Sequence, residues 1–316
     1  MGLKSFLKSN NDDKIRKIRS YFDRKRWKYR NSAHLSLKLK NEIFLLLHRN
    51  SAIVIDGWLP RFYKKKSNVS NWGDDINVYF IEQLSGKRVV PAQTLFFPKN
   101  RKKFCVIGTV IPSCVGKKTT IWGSGYGLSD TEMVRPLRVL AVRGPKTRHF
   151  LMEKGIDCPE IYGDPALLLP KYYTPSVKTK KTVGIIPHHL DWDCDLLHHY
   201  DFPKEWEIIN LTDYDNWTDV IDQICSCELI LSSSLHGLIV SDAYNVPNLF
   251  VEFCHHHSSY KKYEDYFLSV GRNPYIPYEY SSLLNIEDLR KDALRSMETT
   301  KINVEELMDV CPFIVK

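Results

Sequence analysis

The sequence predicts an α/β protein built from two Rossmann-like, doubly wound halves that face one cleft. Short apolar segments alternate with helical patterns in both halves of the 316-residue chain. Hydrophobic residues make up 43% of the chain and charged residues 26%, which is typical of a globular protein with sizeable cores. Polar motifs follow predicted strands in both halves, and open α/β sheets bind ligands at the carboxyl ends of their strands. We therefore expect one ligand site between the halves.

The chain is predicted to divide into three parts. Residues 1–50 form a basic N-terminal arm, residues 51–172 an N-terminal Rossmann-like domain, and residues 181–316 a C-terminal Rossmann-like domain with closing helices. Residues 170–181 contain two prolines and several lysines and are the predicted linker. No run of about 18 apolar residues and no signal peptide is visible in the sequence, so we expect a cytoplasmic protein.

The arm accounts for the positive charge of the chain. The net charge is +8, whereas residues 1–50 hold 14 Lys and Arg against 4 Asp and Glu, so the remaining residues sum to −2. One interpretation is peripheral contact of residues 1–45 with an anionic membrane, which gains about 1 kcal/mol per basic residue near the surface. Another is a solvated helix that packs a few apolar side chains on the body. Phosphate contacts with nucleic acid are a third, which we do not expect.

The eight cysteines form no recognisable disulfide framework. Without a secretion signal, reduced thiols are the expected state. A zinc site from Cys225, Cys227 and the histidines at 255–257 matches no ligand spacing that we can justify, so no metal is predicted.

In the first half, strands are predicted at residues 52–56, 104–110, 119–122 and 137–142. A helix from Ile76 to Leu84 follows the segment Asn71-Trp-Gly-Asp-Asp75. Capping of that helix explains one acidic residue well, but it explains less well why Asn, Gly and two Asp stand together. Asp74 and Asp75 are therefore candidate site residues.

Two further segments of the first half stand at predicted strand ends. Gly123-Ser-Gly125 forms a flexible turn, which is neither the dinucleotide fingerprint nor a P-loop. Arg143 follows the strand at residues 137–142 and precedes a helix that begins at Pro145. Its predicted position is the carboxyl end of a strand beside a helix N-terminus, where an anion would bind.

In the second half, strands are predicted at residues 181–186, 207–211, 228–231 and 248–251, and helices at 217–225, 235–244, 260–271, 286–297 and 304–310. The segment Ser232-Ser-Ser-Leu-His-Gly237 joins a strand to a helix. It places backbone N–H groups, three hydroxyls and His236 at a helix N-terminus, which suits a phosphate or a carboxylate. Taken alone, the segment is explained about equally well by serines that cap a helix.

Seven segments between residues 50 and 270 follow the order of a known family: Asn71–Asp74, Trp122–Gly125, Ala141–Thr147, Ile161–Leu167, Gly184–His188, Ser232–Gly237 and Lys262–Tyr266. Through them the chain resembles the polysaccharide pyruvyltransferases, which look like GT-B glycosyltransferases in architecture. The resemblance is closest to the branch that puts pyruvate ketals on exopolysaccharide repeat units. The arm and the extreme C-terminus resemble the family poorly or not at all.

The resemblance implies transfer of the pyruvyl group of phosphoenolpyruvate onto two hydroxyls of one sugar, with release of phosphate. The donor carries two anionic groups. Arg143 would hold one of them bidentately, and the helix N-terminus after the serines would hold the other. His236 is the candidate general acid, because histidine can carry a proton near pH 7. Asp74 is the candidate base, with Asp75 behind it.

The other substrate-binding residues implied by the resemblance are Gly123, Ser124, Gly125, His188, Ser233, Ser234, Leu235 and Lys262. Many family members have Arg where this chain has Ser234, and Lys262, Lys261 or Arg148 could supply the missing charge. Phosphoenolpyruvate is the donor substrate, and no cofactor is expected. The expected acceptor is a lipid-linked sugar at the inner face of a membrane, where the arm would hold the enzyme.

Two alternative functions stay open on the sequence. One is a glycosyltransferase of similar architecture that uses a nucleotide sugar. Such enzymes usually have a glycine-rich loop and an acidic residue after the last strands, and this chain has Glu252 there but no such loop. The other is a non-catalytic protein that kept the fold and binds membranes or nucleic acid, for which Ser234 is the best support.

Overall fold

The computed structural model describes residues 34–48, 51–58, 71–111, 113–127, 133–177, 180–192, 195, 197, 202–253, 260–279 and 285–314. Most of the arm, residues 1–33, lies outside the described residues, and so do the histidines at 255–257. The last part of the arm forms a helix that packs on the body. None of the described helices combines the length and the apolar composition that crossing a bilayer requires.

The described part of the first half contains three α-helices, five strands and short 3₁₀ segments. In chain order the elements are α1 (Leu35–Leu47), β1 (Ala52–Ile55), α2 (Trp72–Ser85), β2 (Arg88–Pro91), β3 (Lys103–Cys105), β4 (Thr119–Trp122), β5 (Arg138–Ala141) and α3 (Pro145–Glu153). The 3₁₀ segments are Ala92–Thr94, Pro98–Asn100 and Pro165–Lys171.

The described part of the second half repeats this alternation. Its elements are β6 (Lys181–Ile186), β7 (Trp206–Ile208), α4 (Trp217–Ser226), β8 (Cys227–Ser232), α5 (Leu235–Ala243), β9 (Asn248–Glu252), α6 (Lys261–Ser269), β10 (Tyr278–Glu279), α7 (Ile286–Thr299) and α8 (Glu305–Asp309).

Among the residues that the structure describes, each half contributes one parallel five-stranded sheet. The orders are β2-β1-β3-β4-β5 and β10-β9-β8-β6-β7, and every pairing is parallel. Numbered within its own half, each sheet has the order 2-1-3-4-5, which is that of flavodoxin-like doubly wound sheets. The predicted α/β class is confirmed. The strand order reverses between β1 and β3 and between β6 and β8, where such sheets bind ligands.

Apolar side chains cover both faces of the second sheet, as parallel sheets require. On one face, Val183, Leu229 and Val251 pack with Leu289 and Ala293 of α7. The opposite face belongs to a larger cluster that also contains residues of the first sheet. This shared cluster joins the two halves, and the predicted domain boundaries and the GT-B-like arrangement stay predictions.

Two predicted strands are too long, since the strand predicted at 207–211 ends at Ile208 as β7 and the one predicted at 104–110 also ends early. Residues 104–110 were expected to continue a single strand, but β3 ends at Cys105. The side chain of Asn77 replaces the next ladder partners, because its Oδ1 accepts from the N–H of Ile107 and its Nδ2 donates to the carbonyl of Ile107. Gly108 then adopts φ +110°, in the left-handed region that favours glycine. The chain turns here, and Thr109 reaches the cleft.

Candidate active site

A cavity of about 160 Å³ opens between the two halves, beside the points where both strand orders reverse. Its lining comes from loops that follow β1, β3, β6 and β7 and from the first turns of α2, α5 and α6. The lining residues are Trp58, Asn71, Asp74, Thr109, His188, His189, Leu211, Thr212, Ser234, Leu235, His236 and Lys262. Six predicted site residues are among them: Asp74, His188, Ser234, Leu235, His236 and Lys262.

In the first turn of α2, each residue of the motif has a different role. The indole N–H of Trp72 donates to the carbonyl of Trp217 at 2.7 Å, which ties α2 to the second half. Gly73 leaves room for the imidazole of His236, because a Cβ on Gly73 would stand 2.0 Å from Nδ1. Asp74 lies in the cavity wall. The motif thus brings a carboxylate and an imidazole from different halves to one cavity.

Asp75 takes a structural position. Its carboxylate is buried and accepts a hydrogen bond from the hydroxyl of Tyr214 in the second half. It does not belong to the described cavity lining, so its predicted substrate-binding role finds no support in its placement. The reason is helical geometry, since consecutive residues of a helix point about 100° apart and only one of the two carboxylates can face the cavity.

The three serines before α5 also have different tasks. The hydroxyl of Ser232 accepts from the N–H of Ser234 at 3.0 Å and stays buried. The hydroxyl of Ser233 donates to Asp191 at 2.6 Å and accepts from the N–H of His188 at 2.7 Å, so it fixes the loop after β6. Ser234 alone lies in the cavity wall, at the N-cap of α5. Ser233 is outside the described lining, so its placement does not support the predicted direct contact with substrate.

Arg143 lies behind the cavity wall and is fully buried. Its Nε donates to Asp265 at 3.2 Å, and its Nη1 donates to Thr109, a lining residue, at 2.7 Å. Its Nη2 is buried and has no hydrogen-bond partner among the described residues. Protein groups take two of its five N–H donors and the side chain is fully buried, so the predicted bidentate hold on an anion stays a prediction.

Helix α6 of the second half holds the side chain of Arg143 through Asp265. Asp265 accepts from the backbone N–H of Thr147 at 2.9 Å and from its hydroxyl at 2.6 Å, in addition to Arg143. Gly144 permits this approach, because a Cβ there would stand 1.9 Å from the backbone oxygen of Asp265. Tyr263 donates to the carbonyl of Ser233 at 2.7 Å. These contacts hold α6 in place and so position Lys262 in its first turn.

Lys262 is the candidate for the charge that Ser234 lacks. Of the three alternatives considered, only Lys262 belongs to the described cavity lining. Lys261 is exposed, and Arg148 donates to the carbonyl of Cys158. Burial, and then the nearby charge of Arg143, lower the pKa of Lys262 to about 8. The ammonium therefore carries its charge at pH 7 but loses it at mildly alkaline pH.

The environment of His236 changes the chemistry expected of it. Burial, and then the charges of Lys262 and Arg143, lower its pKa to about 3. The imidazole is therefore neutral near pH 7 in the ligand-free site, and it does not hold there the proton that a general acid must donate. A bound anion beside the two cations would offset their effect and raise this pKa again.

The predicted turn Gly123-Ser-Gly125 supports the site from outside the described lining. A Cβ on Gly125 would stand 2.1 Å from Cζ of Arg143, so this glycine makes room for the guanidinium. Gly123 has φ +85° and packs against Pro165. Ser124 is buried and donates to the carbonyl of Val106 at 2.8 Å. Direct substrate contact by these three residues is not supported by their placement.

Asp164 caps the 3₁₀ segment that begins at Pro165, because its carboxylate accepts from the N–H of Ala166 at 3.0 Å. Burial raises the pKa of its carboxyl to about 6. Within the described residues, no group of three or more His, Cys, Asp or Glu side chains is placed to hold a metal ion.

Sequence reasoning gave no role to several residues at the site. Asn71 and His189 stand inside or beside motifs that were singled out, so their positions offered a signal. Thr109, Thr212 and Trp58 stand in loops after strands, and only the rule that ligands bind at the reversal of strand order could have marked them. Asp265 belonged to a recognised segment, but its partners are 118 or more residues away in sequence.

Comparison with known proteins identifies the family. The family profile described as "Polysaccharide pyruvyl transferase" matches residues 1–255, and the chain belongs to this family. The match includes the arm, which was expected to lie outside the resemblance, and it ends before Lys262.

Two curated relatives are similar over part of the chain. Succinoglycan biosynthesis protein ExoV of Rhizobium meliloti is 29% identical over 223 residues, which are 66% of this chain and 64% of ExoV. An uncharacterized protein of Acanthamoeba polyphaga mimivirus is 27% identical over 199 residues, which are 58% of this chain and 64% of that protein. The chain thus spans slightly less than two thirds of the length of both relatives.

A solved structure of an uncharacterized protein from Klebsiella pneumoniae covers 74% of this chain and 94% of its own, with 14% identity and a TM-score of 0.38. That likeness is too low to bear on the site.

Proposed function

We propose that this protein transfers the pyruvyl group of phosphoenolpyruvate onto two hydroxyls of one sugar in a polysaccharide repeat unit, forming a pyruvate ketal and releasing phosphate. Family membership supports pyruvyl transfer in polysaccharide biosynthesis. The observation that carries the chemical proposal is the meeting of Asp74, His236 and Lys262 in one cavity. These residues supply a base, a proton-transfer group and a cation for an anionic donor.

The donor anion is proposed to bind at the start of α5. The first N–H groups of this helix have no partner within the helix, and the helix dipole favours negative charge there. Lys262 supplies a full positive charge at the same end of the cavity. Arg143 contributes from behind the wall through its buried charge and its remaining nitrogen, Nη2.

The reaction requires a proton on the methylene carbon of the donor. We assign that proton to His236, which gains it when the anionic donor offsets the two neighbouring cations. Protonation converts the methylene to a methyl group and leaves an electron-deficient carbon, which the first sugar hydroxyl attacks while Asp74 accepts the hydroxyl proton. The second hydroxyl then replaces the phosphate at this carbon. Its proton leaves with the phosphate, so one ketal and one phosphate form from one donor.

The acceptor is proposed to be a lipid-linked sugar that enters from the Trp58 side of the cavity. Trp58 is 43% exposed and belongs to the lining. A partly exposed indole in the cavity lining offers a large apolar face to a sugar ring. The curated relative ExoV carries a name that refers to succinoglycan biosynthesis, which agrees with a polysaccharide acceptor.

Calorimetry with phosphoenolpyruvate and a panel of nucleotide sugars tests the proposal. We expect phosphoenolpyruvate to bind, Lys262→Met and Arg143→Ala to weaken that binding, and His236→Gln to spare most of it. Phosphate release with sugar acceptors should then be lost in His236→Gln and kept in His149→Gln, an exposed histidine outside the described cavity lining. Binding of a nucleotide sugar without phosphoenolpyruvate would replace this proposal with glycosyl transfer.

A further inference from the structure

Helix α1 carries an apolar stripe on the face that points away from the protein. Asn41 and Leu45 are buried against the body, where Leu45 joins Val54 and Val90 of the first sheet. The residues of the stripe are Leu35, Leu39, Ile43, Leu46 and Leu47, and they are 48% to 73% exposed. With about 100° per residue, the stripe lies opposite the buried face, so the helix is apolar on both sides.

Two phenylalanines extend this stripe into a wider apolar surface. Phe96 and Phe97 are 40% and 67% exposed. Their backbone N–H groups donate to Oε1 of Glu42 on α1, which places them directly beside the helix. The stripe and the two phenylalanines together are called the outer face. Contiguous apolar surfaces of this kind mark contact sites for proteins or membranes.

Basic residues belong to the same two segments as the outer face. Lys38 lies with its ammonium 5.9 Å from the ring centroid of Phe96. Lys40, Lys99 and Lys102 are exposed nearby in sequence. Glu42 is the single acidic residue in 34–48 and 95–102, and it is paired with Arg101. The outer face therefore combines apolar side chains with net positive charge.

We propose that the outer face docks on an anionic phospholipid bilayer, with α1 lying in the plane of the interface. Leucine, isoleucine and phenylalanine insert into the boundary between headgroups and acyl chains, and the lysines meet anionic headgroups. Binding of an interfacial helix strengthens with the apolar area that it buries and with its attraction to anionic lipids, and the outer face offers both. This goes beyond the proposed chemistry, because it depends on no residue of the cavity.

The positive charge of this part of the chain favours a bilayer over a second copy of the chain as the partner of the outer face. Residues 1–50 carry a net charge of +10, with 14 basic and 4 acidic residues. A symmetric dimer through the outer face would bring two such segments together and repel, whereas an anionic surface attracts them. Phe96 and Phe97 also follow the carboxyl end of β2, so docking there brings the bilayer to the same sheet edge as the cavity.

Vesicle sedimentation of the full chain tests the proposal. We expect binding to vesicles of phosphatidylglycerol and phosphatidylcholine, weak binding to phosphatidylcholine alone, and weaker binding at high salt. The double substitution Leu39→Glu with Ile43→Glu should weaken binding at least about tenfold, because charges replace inserted side chains. Leu294→Glu is the matched control on α7, since Leu294 is as exposed as Ile43, at 48%, and it should bind like the wild type.

Two readouts separate the possible outcomes. Thermal unfolding should be unchanged in both variants, since the substituted side chains are exposed. Light scattering measures whether the double substitution dissociates an oligomer. Vesicle binding by the double variant equal to wild type overturns the proposal, and so does an oligomer that dissociates while vesicle binding persists. Phosphate release with a soluble acceptor should be unaffected, so failure of the catalytic proposal would show as absent release with vesicle binding intact.

Discussion

The imidazole of His236 occupies the space in which a side chain on Gly73 would begin, with 2.0 Å between Nδ1 and the position of a Cβ. The two residues belong to helices of different halves, α5 and α2. Their contact sets the distance between the N-terminus of α5 and the carboxylate of Asp74. The shape of the cavity therefore depends on the absence of a side chain at Gly73.

Gly73→Ala should impair catalysis while leaving the helix intact. The added methyl group must displace His236, and misplacement of a catalytic group by about 1 Å lowers rates on the order of 100-fold. Alanine is also the better helix former, so α2 should persist. Phosphate release and circular dichroism measure the two effects. Gly116→Ala is the control, since its Cβ would approach other atoms no closer than 3.8 Å. Equal activity in both variants would contradict the proposed role of the contact.

Binding of phosphoenolpyruvate should be accompanied by proton uptake. Burial and two neighbouring cations lower the pKa of His236 to about 3. In the ligand-free protein its imidazole is therefore neutral at about pH 6.5, where an unperturbed histidine is half protonated. The anionic donor raises this pKa, and a proton enters. Calorimetry in two buffers with different ionisation enthalpies measures the uptake, which should vanish in His236→Gln. Identical binding heats in the two buffers for the wild type would argue against His236 as the acid.

Affinity for phosphoenolpyruvate should fall as pH rises above 8. The lowered pKa of Lys262, about 8, means that its ammonium is charged below this pH and neutral above it. Because the donor is an anion, loss of this charge should weaken binding by about tenfold per pH unit, as expected for one linked proton. Lys262→Met should bind weakly at every pH without this slope. Lys261→Met, at the exposed neighbouring position, should keep the wild-type profile; a flat profile in the wild type would exclude Lys262.

Asp265→Asn should destabilise the protein far more than the same change at its neighbour. Asp265 is the buried partner of Arg143, whose side chain is fully buried, and breaking such a pair costs about 3–5 kcal/mol. Glu264 pairs with Lys146 at the surface, with side chains 34% and 43% exposed, so Glu264→Gln should cost within about 1 kcal/mol. Urea denaturation compares the two variants. Similar midpoints would show that Arg143 does not depend on Asp265.

The motifs were visible in the sequence because each is local. The order of apolar segments gave the α/β class, and six of the predicted site residues reached one cavity. Strand lengths were predicted less well, since β3 ends where the side chain of Asn77 takes over the backbone pairing of Ile107. Such a side chain, 30 residues away, leaves no periodic signal. The short strands β2 and β10 were missed for a similar reason, because pairing with β1 and β9, which are distant in sequence, defines them.

The sequence could not distinguish residues that line the cavity from residues that only hold those lining residues in place. Asp74 and Asp75 are adjacent and chemically identical, and so are Ser233 and Ser234. In each pair the structure directs one side chain to the cavity and the other to a partner in the protein. Arg143 has the residue type of an anion ligand, yet it is held by Asp265 and Thr109 from outside its own motif.

The sequence by itself determined the α/β class, the family and the set of motifs, because these depend on residue type and on order along the chain. The tertiary structure decided which motif residues meet, that Lys262 lies in the wall where Ser234 lacks a charge, and that His236 is neutral in the free site. It also placed an apolar face of α1 outward. These properties depend on distances and burial between residues far apart in sequence, which set solvation and charge interactions and leave no local pattern.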